Sequence, residues 1–157
     1  MSAGERDAAS LLGVLRERGA TLACAESLTG GLLCATLVAV PGASDVVRGA
    51  VVAYTADLKA TLLGVDEQVL ARRGAVSEAT ALAMASGAAE RLGATYGLAT
   101  TGVAGPGPSE GKPAGTVHVA VYGPGLGAHA ELRLAGDRQA VREQAVNAVL
   151  ALLAEQL

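Results

Sequence analysis

TLACAESLTGGLLCATLVAVPG, residues 21–42, reads as a strand, a tight turn and a helix in immediate succession. TLACA (21–25) is short and apolar without alternation, the pattern of a strand covered on both faces. ESLTGG (26–31) has the glycines and hydroxyls of a strand-to-helix turn. The apolar run after it makes a helix from about Gly30 to Val40, ended by Pro41-Gly42. Upstream, Ala8, Leu11, Leu12 and Leu15 recur at helical spacing over 6–18, and Gly19 stops the run. Downstream, GAVVAY (49–54) reads as a second buried strand and ADLKATLLG (56–64) as a short helix, with room for another over 66–72. A longer helix follows over about 78–92, with Ser77 as its N-cap.

TYGLATT (95–101) is a third strand and opens into TGVAGPGPSEGKPAG (101–115), a loop far longer than the usual connection. TVHVAVY (116–122) alternates, with Val117, Val119 and Val121 on one face. A turn over 123–127 leads into AHAELRLA (128–135), which completes an antiparallel hairpin. GDRQ (136–139) starts a last helix striped by Val141, Ala145, Ala148 and Leu152. The order predicts one domain over 1–157, of the α/β class: a three-layer α/β/α sandwich on a mixed, mainly parallel sheet. Ligands of such sheets collect beyond the carboxyl ends of the strands, where the loops 26–31, 54–59 and 101–115 meet.

Composition narrows the function. The 157 residues are 51% hydrophobic and 17% charged, which excludes a disordered chain. With three Tyr and no Phe or Trp, the core is built from Ala, Val and Leu, and base-stacking platforms are excluded. A net charge of −3 removes the broad basic face as well, so nucleic acid is not expected as a partner. Cys24 and Cys34 are too few for a disulfide scaffold and read as small buried hydrophobes. The polar N-terminus has no apolar signal core, and Gly31–Val40 is about half a membrane span. A soluble cytoplasmic protein is expected despite a mean hydropathy of +0.40. That apolar surplus also favours a homo-oligomer.

The chemistry-bearing residues gather on the three loops. In the first turn, Gly30 and Gly31 let a ligand approach the backbone, and the helix start favours an anion. Ser27 and Thr29 add hydroxyls, and Glu26 is suited to a ribose hydroxyl or a cation. A capped turn serving the helix uses the same residues. Thr101, Gly102 and Gly105 open the second glycine-rich turn; Gly102 and Gly105 are expected to hold positive φ or to lie against a ligand. Two such turns at one sheet edge suggest a cradle for a phosphorylated small molecule. Between them, Ser44, Tyr54 and Lys59 form an inventory for activating a hydroxyl without histidine. Arg138 and Arg142, one turn apart on the last helix, are candidates for a phosphate or for surface salt bridges. His118 and His129 lie apart from these loops, and no cluster has metal-ligand spacing, so no zinc is expected.

AESLTGG, PGASD, RGAVVAYTADLKATLLGV, GAVSE, TGVAGPGPSEGKPAGTV and GDRQAVREQAV together resemble the CinA C-terminal domain family, over roughly residues 6–155. Its free-standing members include the PncC nicotinamide-nucleotide amidohydrolases, and this chain is expected to be a stand-alone member. The resemblance implies an α/β/α sandwich. It also implies deamidation of nicotinamide mononucleotide to nicotinate mononucleotide and ammonia, with no cofactor. The family usually has Cys after the first-motif serine, where this chain has Leu28, which excludes a cysteine nucleophile there. Its second loop commonly reads Gly-Ser-Ser against Gly42-Ala43-Ser44 here, which points to Ser44. The sequence-based assignment is therefore Ser44 as nucleophile, Lys59 as general base and Tyr54 as proton relay, with Ser27 as runner-up. Asp57, close to Lys59 in sequence, would oppose the base if it faced it. A catalytically silent nucleotide-binding module, or a different amide substrate, stays open as an alternative.

Overall fold

The computed structural model describes the backbone of residues 3–157, with side chains from residue 7 onward. The elements run α1 (Ala3–Glu17), β1 (Leu22–Glu26), α2 (Leu32–Val38), a 3-10 turn (Ala43–Asp45) and β2 (Val47–Val52). Then come α3 (Ala56–Leu63), α4 (Glu67–Arg73), α5 (Glu78–Leu92), β3 (Tyr96–Gly102), β4 (Thr116–Gly123), β5 (Leu126–Arg133) and α6 (Arg138–Gln156). The strands form one sheet in the order β2-β1-β3-β4-β5, with β2, β1 and β3 parallel and β4 and β5 joined antiparallel. This is the expected three-layer α/β/α sandwich.

Strand alternation sorts the core into two halves. Leu22, Cys24, Leu98, Val117, Val119 and Val121 pack towards α1, α2 and α6. Ala23, Ala25, Ala99 and Ala120 face the other way, towards α3, α4 and α5. That second face is built of the smallest side chains, so α5 lies almost on the sheet backbone. A Cβ added at Gly97 would come 1.9 Å from the Ala85 carbonyl oxygen, and one at Gly87 2.0 Å from that of Leu63. Ser77 caps α5 as expected, accepting from the Thr80 amide at 3.1 Å. No helix among the described residues is long and apolar enough to cross a membrane.

Several boundaries shift by two or three residues from the sequence reading, the helix expected over 30–40 running Leu32–Val38, and one of the shifts matters for the site. The second strand is Val47–Val52 rather than 49–54, because its partner β1 pairs with it from Leu22 to Glu26. Tyr54 therefore stands beyond the ladder, with its carbonyl free for other donors. The hairpin turn is shorter than expected: Gly123 pairs with Leu126, leaving Pro124 and Gly125 at the tip, and Gly125 takes φ +71°.

The hairpin also joins its two histidines, His118 Nδ1 to His129 Nε2 at 2.8 Å. Burial holds His118 below the ordinary histidine range, and the His129, Lys112 and Arg133 charges add to that against Glu131. The unfolded chain thus takes up this proton first as pH falls, so stability drops below about pH 6.5. Urea midpoints measured from pH 7.5 to 5 should fall, and the fall should be shallower in His118→Gln. For the close helix–sheet contact, Gly97→Ala should cost about 1–3 kcal/mol, read as a lowered Tm. Gly107→Ala, at a position with open space around its Cβ, should leave Tm close to that of the parent.

Candidate active site

The turn after β1 is organised by Glu26, which is fully buried. Its Oε1 accepts from the amides of Gly31 at 3.1 Å and Leu33 at 2.8 Å, and its Oε2 from Cys34 at 3.0 Å. A helix start leaves amides unpaired, and here the protein's own carboxylate satisfies them. This corrects two expectations at once: Glu26 has no free oxygen for a ribose, and the anion at the start of α2 is already in place. Gly30 and Gly31, at φ +56° and +106°, bend the chain around that carboxylate. Thr29 is buried and shares a 2.7 Å hydrogen bond with Thr100. Arg142 donates to the carbonyls of Leu28 at 2.9 Å and Thr29 at 3.0 Å, and to Gln139 at 2.7 Å. These five residues have their polar groups engaged in building the turn. What the turn presents to the cleft is Ser27.

Ser27 stands one residue beyond β1, its amide tied to the Thr100 carbonyl at 3.0 Å. Lys59, 1% exposed, points from the first turns of α3 into the same place. Its Nζ lies 2.9 Å from Ser27 Oγ, 2.8 Å from the Ala53 carbonyl and 3.2 Å from the Tyr54 carbonyl. Burial lowers the Lys59 pKa to about 8, against a smaller opposing pull from Glu110. As an ammonium, Nζ donates to all three oxygens while the Ser27 hydroxyl donates to the Tyr54 carbonyl; once neutral, it can keep two N–H bonds on the carbonyls and turn its lone pair to the serine hydroxyl. Asp57 does not oppose the base: it is exposed and accepts from the Thr55 hydroxyl.

Ser44 is not part of this arrangement. It is exposed on the 3-10 turn that leads into β2, in a separate depression lined by Cys34, Pro41 and Arg48. Lys59 follows the far end of β2, and a six-residue strand spans about 20 Å. The expected Ser44–Lys59 pairing is thus replaced by Ser27–Lys59. Tyr54 is also corrected: its carbonyl, not its phenol, meets Lys59 and Ser27, the latter at 3.3 Å. The phenol is at the rim, where Arg138 Nη2 donates to it at 2.8 Å.

The cleft, about 470 Å³, is lined by Ser27, Tyr54, Lys59, Thr101, Gly105 and Arg138 among others. That volume suits a small molecule. Gly105 has φ +92°, and its carbonyl accepts from Arg138 Nη1 at 2.6 Å. Gly102 departs from expectation, for it needs neither positive φ nor a ligand. Its missing Cβ makes room for β4, whose Thr116 carbonyl would lie 2.8 Å away. Thr101 is buried and donates to the Ala75 carbonyl at 2.7 Å.

Glu110 is the residue that sequence reasoning missed. It accepts from the amides of Ala75 at 2.9 Å and Val76 at 3.2 Å and pairs with Lys112 at 3.5 Å. Burial raises its carboxyl, but those amides and the Lys112 ammonium outweigh it and hold it below the ordinary range. A lone acid in a Gly/Pro loop reads as solvated, and nothing in its spacing points to residues 75–76.

Comparison with known proteins places the chain among relatives. Residues 5–157 match the model of the CinA C-terminal domain. A CinA-like protein of Frankia casuarinae is 55% identical over 147 residues, which is 94% of this chain and 34% of that protein. The competence/damage inducible protein CihA of Agrobacterium tumefaciens superposes with a TM-score of 0.94 at 38% identity, over 99% of this chain and 96% of that one. A competence-damaged protein (CinA) superfamily protein from Escherichia coli does so at 0.96 and 37%, over 99% and 91%. The chain spans about a third of the length of the Frankia relative and of a Myxococcus xanthus one that is 46% identical.

The turn makes a direct test possible. Glu26→Ala strands buried amides of α2 and should cost about 1–3 kcal/mol. A lower Tm, with a greater loss for Glu26→Ala than for Glu26→Gln, is the expected result.

Proposed function

The chain belongs to the CinA C-terminal domain family, and on that premise we propose that its cleft hydrolyses the carboxamide of nicotinamide mononucleotide, with Ser27 as nucleophile and Lys59 as general base. The observation that carries the reading is the buried Lys59 amine on the Ser27 hydroxyl. In its neutral form Lys59 takes the proton from Ser27 Oγ as that oxygen attacks the carboxamide carbon. The ammonium so formed returns the proton to the departing nitrogen, and ammonia leaves an acyl ester on Ser27. Lys59 then takes a proton from a water whose oxygen attacks the ester carbon, and returns it to Ser27 Oγ as the acyl–oxygen bond breaks, giving nicotinate mononucleotide and the free serine hydroxyl. Two facing carbonyls keep the amine aimed through both half-reactions. Arg138, on the cleft wall, is the cation that suits the substrate's phosphate. The Gly105–Gly107 wall lets the substrate approach the main chain.

Ammonia release from nicotinamide mononucleotide by the purified protein tests the reading. Lys59→Met should lower kcat by about 10²–10⁴-fold, and Ser27→Ala should abolish turnover, both with the fold retained. Ser44→Ala should stay close to the parent. The rising limb of kcat/KM against pH should have its midpoint near 8, since only the neutral amine accepts a proton. An inactive Ser44→Ala beside an active Ser27→Ala would transfer the role. No ammonia from the parent protein would leave a binding module instead.

A further inference from the structure

Glu110 lines the same cleft as Lys59 and has a backbone that glutamate rarely adopts, with φ +53°. Its carboxylate reaches across to the segment that enters α5 and accepts from two successive amides there. Lys112 closes the contact from its other side, donating to the Val76 carbonyl at 2.6 Å. Thr101 fixes the same segment through the Ala75 carbonyl. Gly74 has no Cβ where Glu110 passes; an added one would lie 2.6 Å from Oε2. The loop wall is therefore fastened to the segment between α4 and α5 by a charged side chain that lines the same cleft as the base.

We infer that Glu110 is a positioning residue for the Ser27–Lys59 pair, both the latch that ties the 105–110 wall to residues 75–76 and a fixed anion in the cleft that holds the Lys59 amine. The inference rests on the Ser27–Lys59 reading above. An anion at that place favours the lysine ammonium, the species formed each time Lys59 takes a proton. It thereby stabilises the step in which the serine oxygen attacks, while making the neutral amine scarcer beforehand. The other charged groups nearby are Glu26, held by the α2 amides beside Ser27, Asp57, exposed and bonded to Thr55, Arg138, bonded to Gly105 and Tyr54, and Lys112, paired with Glu110 itself. Glu110 shares the cleft with Lys59, and its charge pulls the amine upward against the larger effect of burial.

The chain has two lysines, Lys59 and Lys112. Protein labelled with ¹³C-lysine thus gives two ε-carbon signals, assigned by Lys112→Arg, and the Lys59 titration can be followed without any substrate. Glu110→Gln, which keeps a carbonyl for the amides but loses the charge, should lower the Lys59 midpoint by a few tenths of a unit to about one unit. Lys112→Gln, which leaves Glu110 in place without its cation, should raise it. The acid limb of kcat/KM should move with the midpoint in each variant. A Lys59 midpoint that stays put in both variants, or moves the opposite way, overturns the inference. If the midpoints move as expected while the parent releases no ammonia from nicotinamide mononucleotide, the latch stands and the substrate reading fails.

Discussion

A buried carboxylate holds this molecule's site together. Glu26 ends β1 with no exposure to water, and an ion there is tolerated only because three amides of α2 converge on it. The arrangement ties the strand end to the helix start across a five-residue turn, and it fixes the first residue of that turn, Ser27. Its amide is tied to β3, and Arg142 grips the following carbonyls from α6. The serine inherits its position from the sheet's central strands rather than from a flexible turn.

Lys59 is the counterpart on the other side of the cleft. Burying a lysine is costly, and the cost falls on its charged form, which is why the amine is lowered towards neutrality. Its hydrogen-bond partners are two carbonyls beyond β2 and the Ser27 hydroxyl. Those carbonyls are available because β2 stops at Val52 and leaves Ala53 and Tyr54 outside the parallel ladder. A difference of two residues in a strand boundary thus decides what the base can bond to.

Much of this was legible in the sequence, and the failures share a physical cause. The strand–turn–helix run, the valine alternation of β4 and the Ser77 cap are local patterns, and each lies within two residues of where it was read. The loops that meet at the carboxyl edge were found by the same means. The pairing of Lys59 with Ser44 was not, because nearness along the chain hides that the two flank opposite ends of β2. Glu26 looked like a ligand residue because an acid before a glycine turn reads as exposed; its partners are amides, which carry no residue signature. Glu110 was invisible for the same reason, since its acceptors are the main chain of Ala75 and Val76. Side chains that bond to backbone leave no complementary letter for a reader to match.

The alanine face under α5 has a consequence for how such a protein can diverge. With Gly97 and Gly87 lying against carbonyl oxygens, that layer has no spare volume, and larger side chains have nowhere to go. The α3–α5 layer, from which Lys59 enters the cleft, is in effect frozen by this close packing. Inheritable change in what the cleft accepts is therefore channelled into the wall from Gly105 to Lys112, which faces solvent and is fastened by side chains rather than by packing. The fold divides its sequence into a part that cannot drift and a part that can.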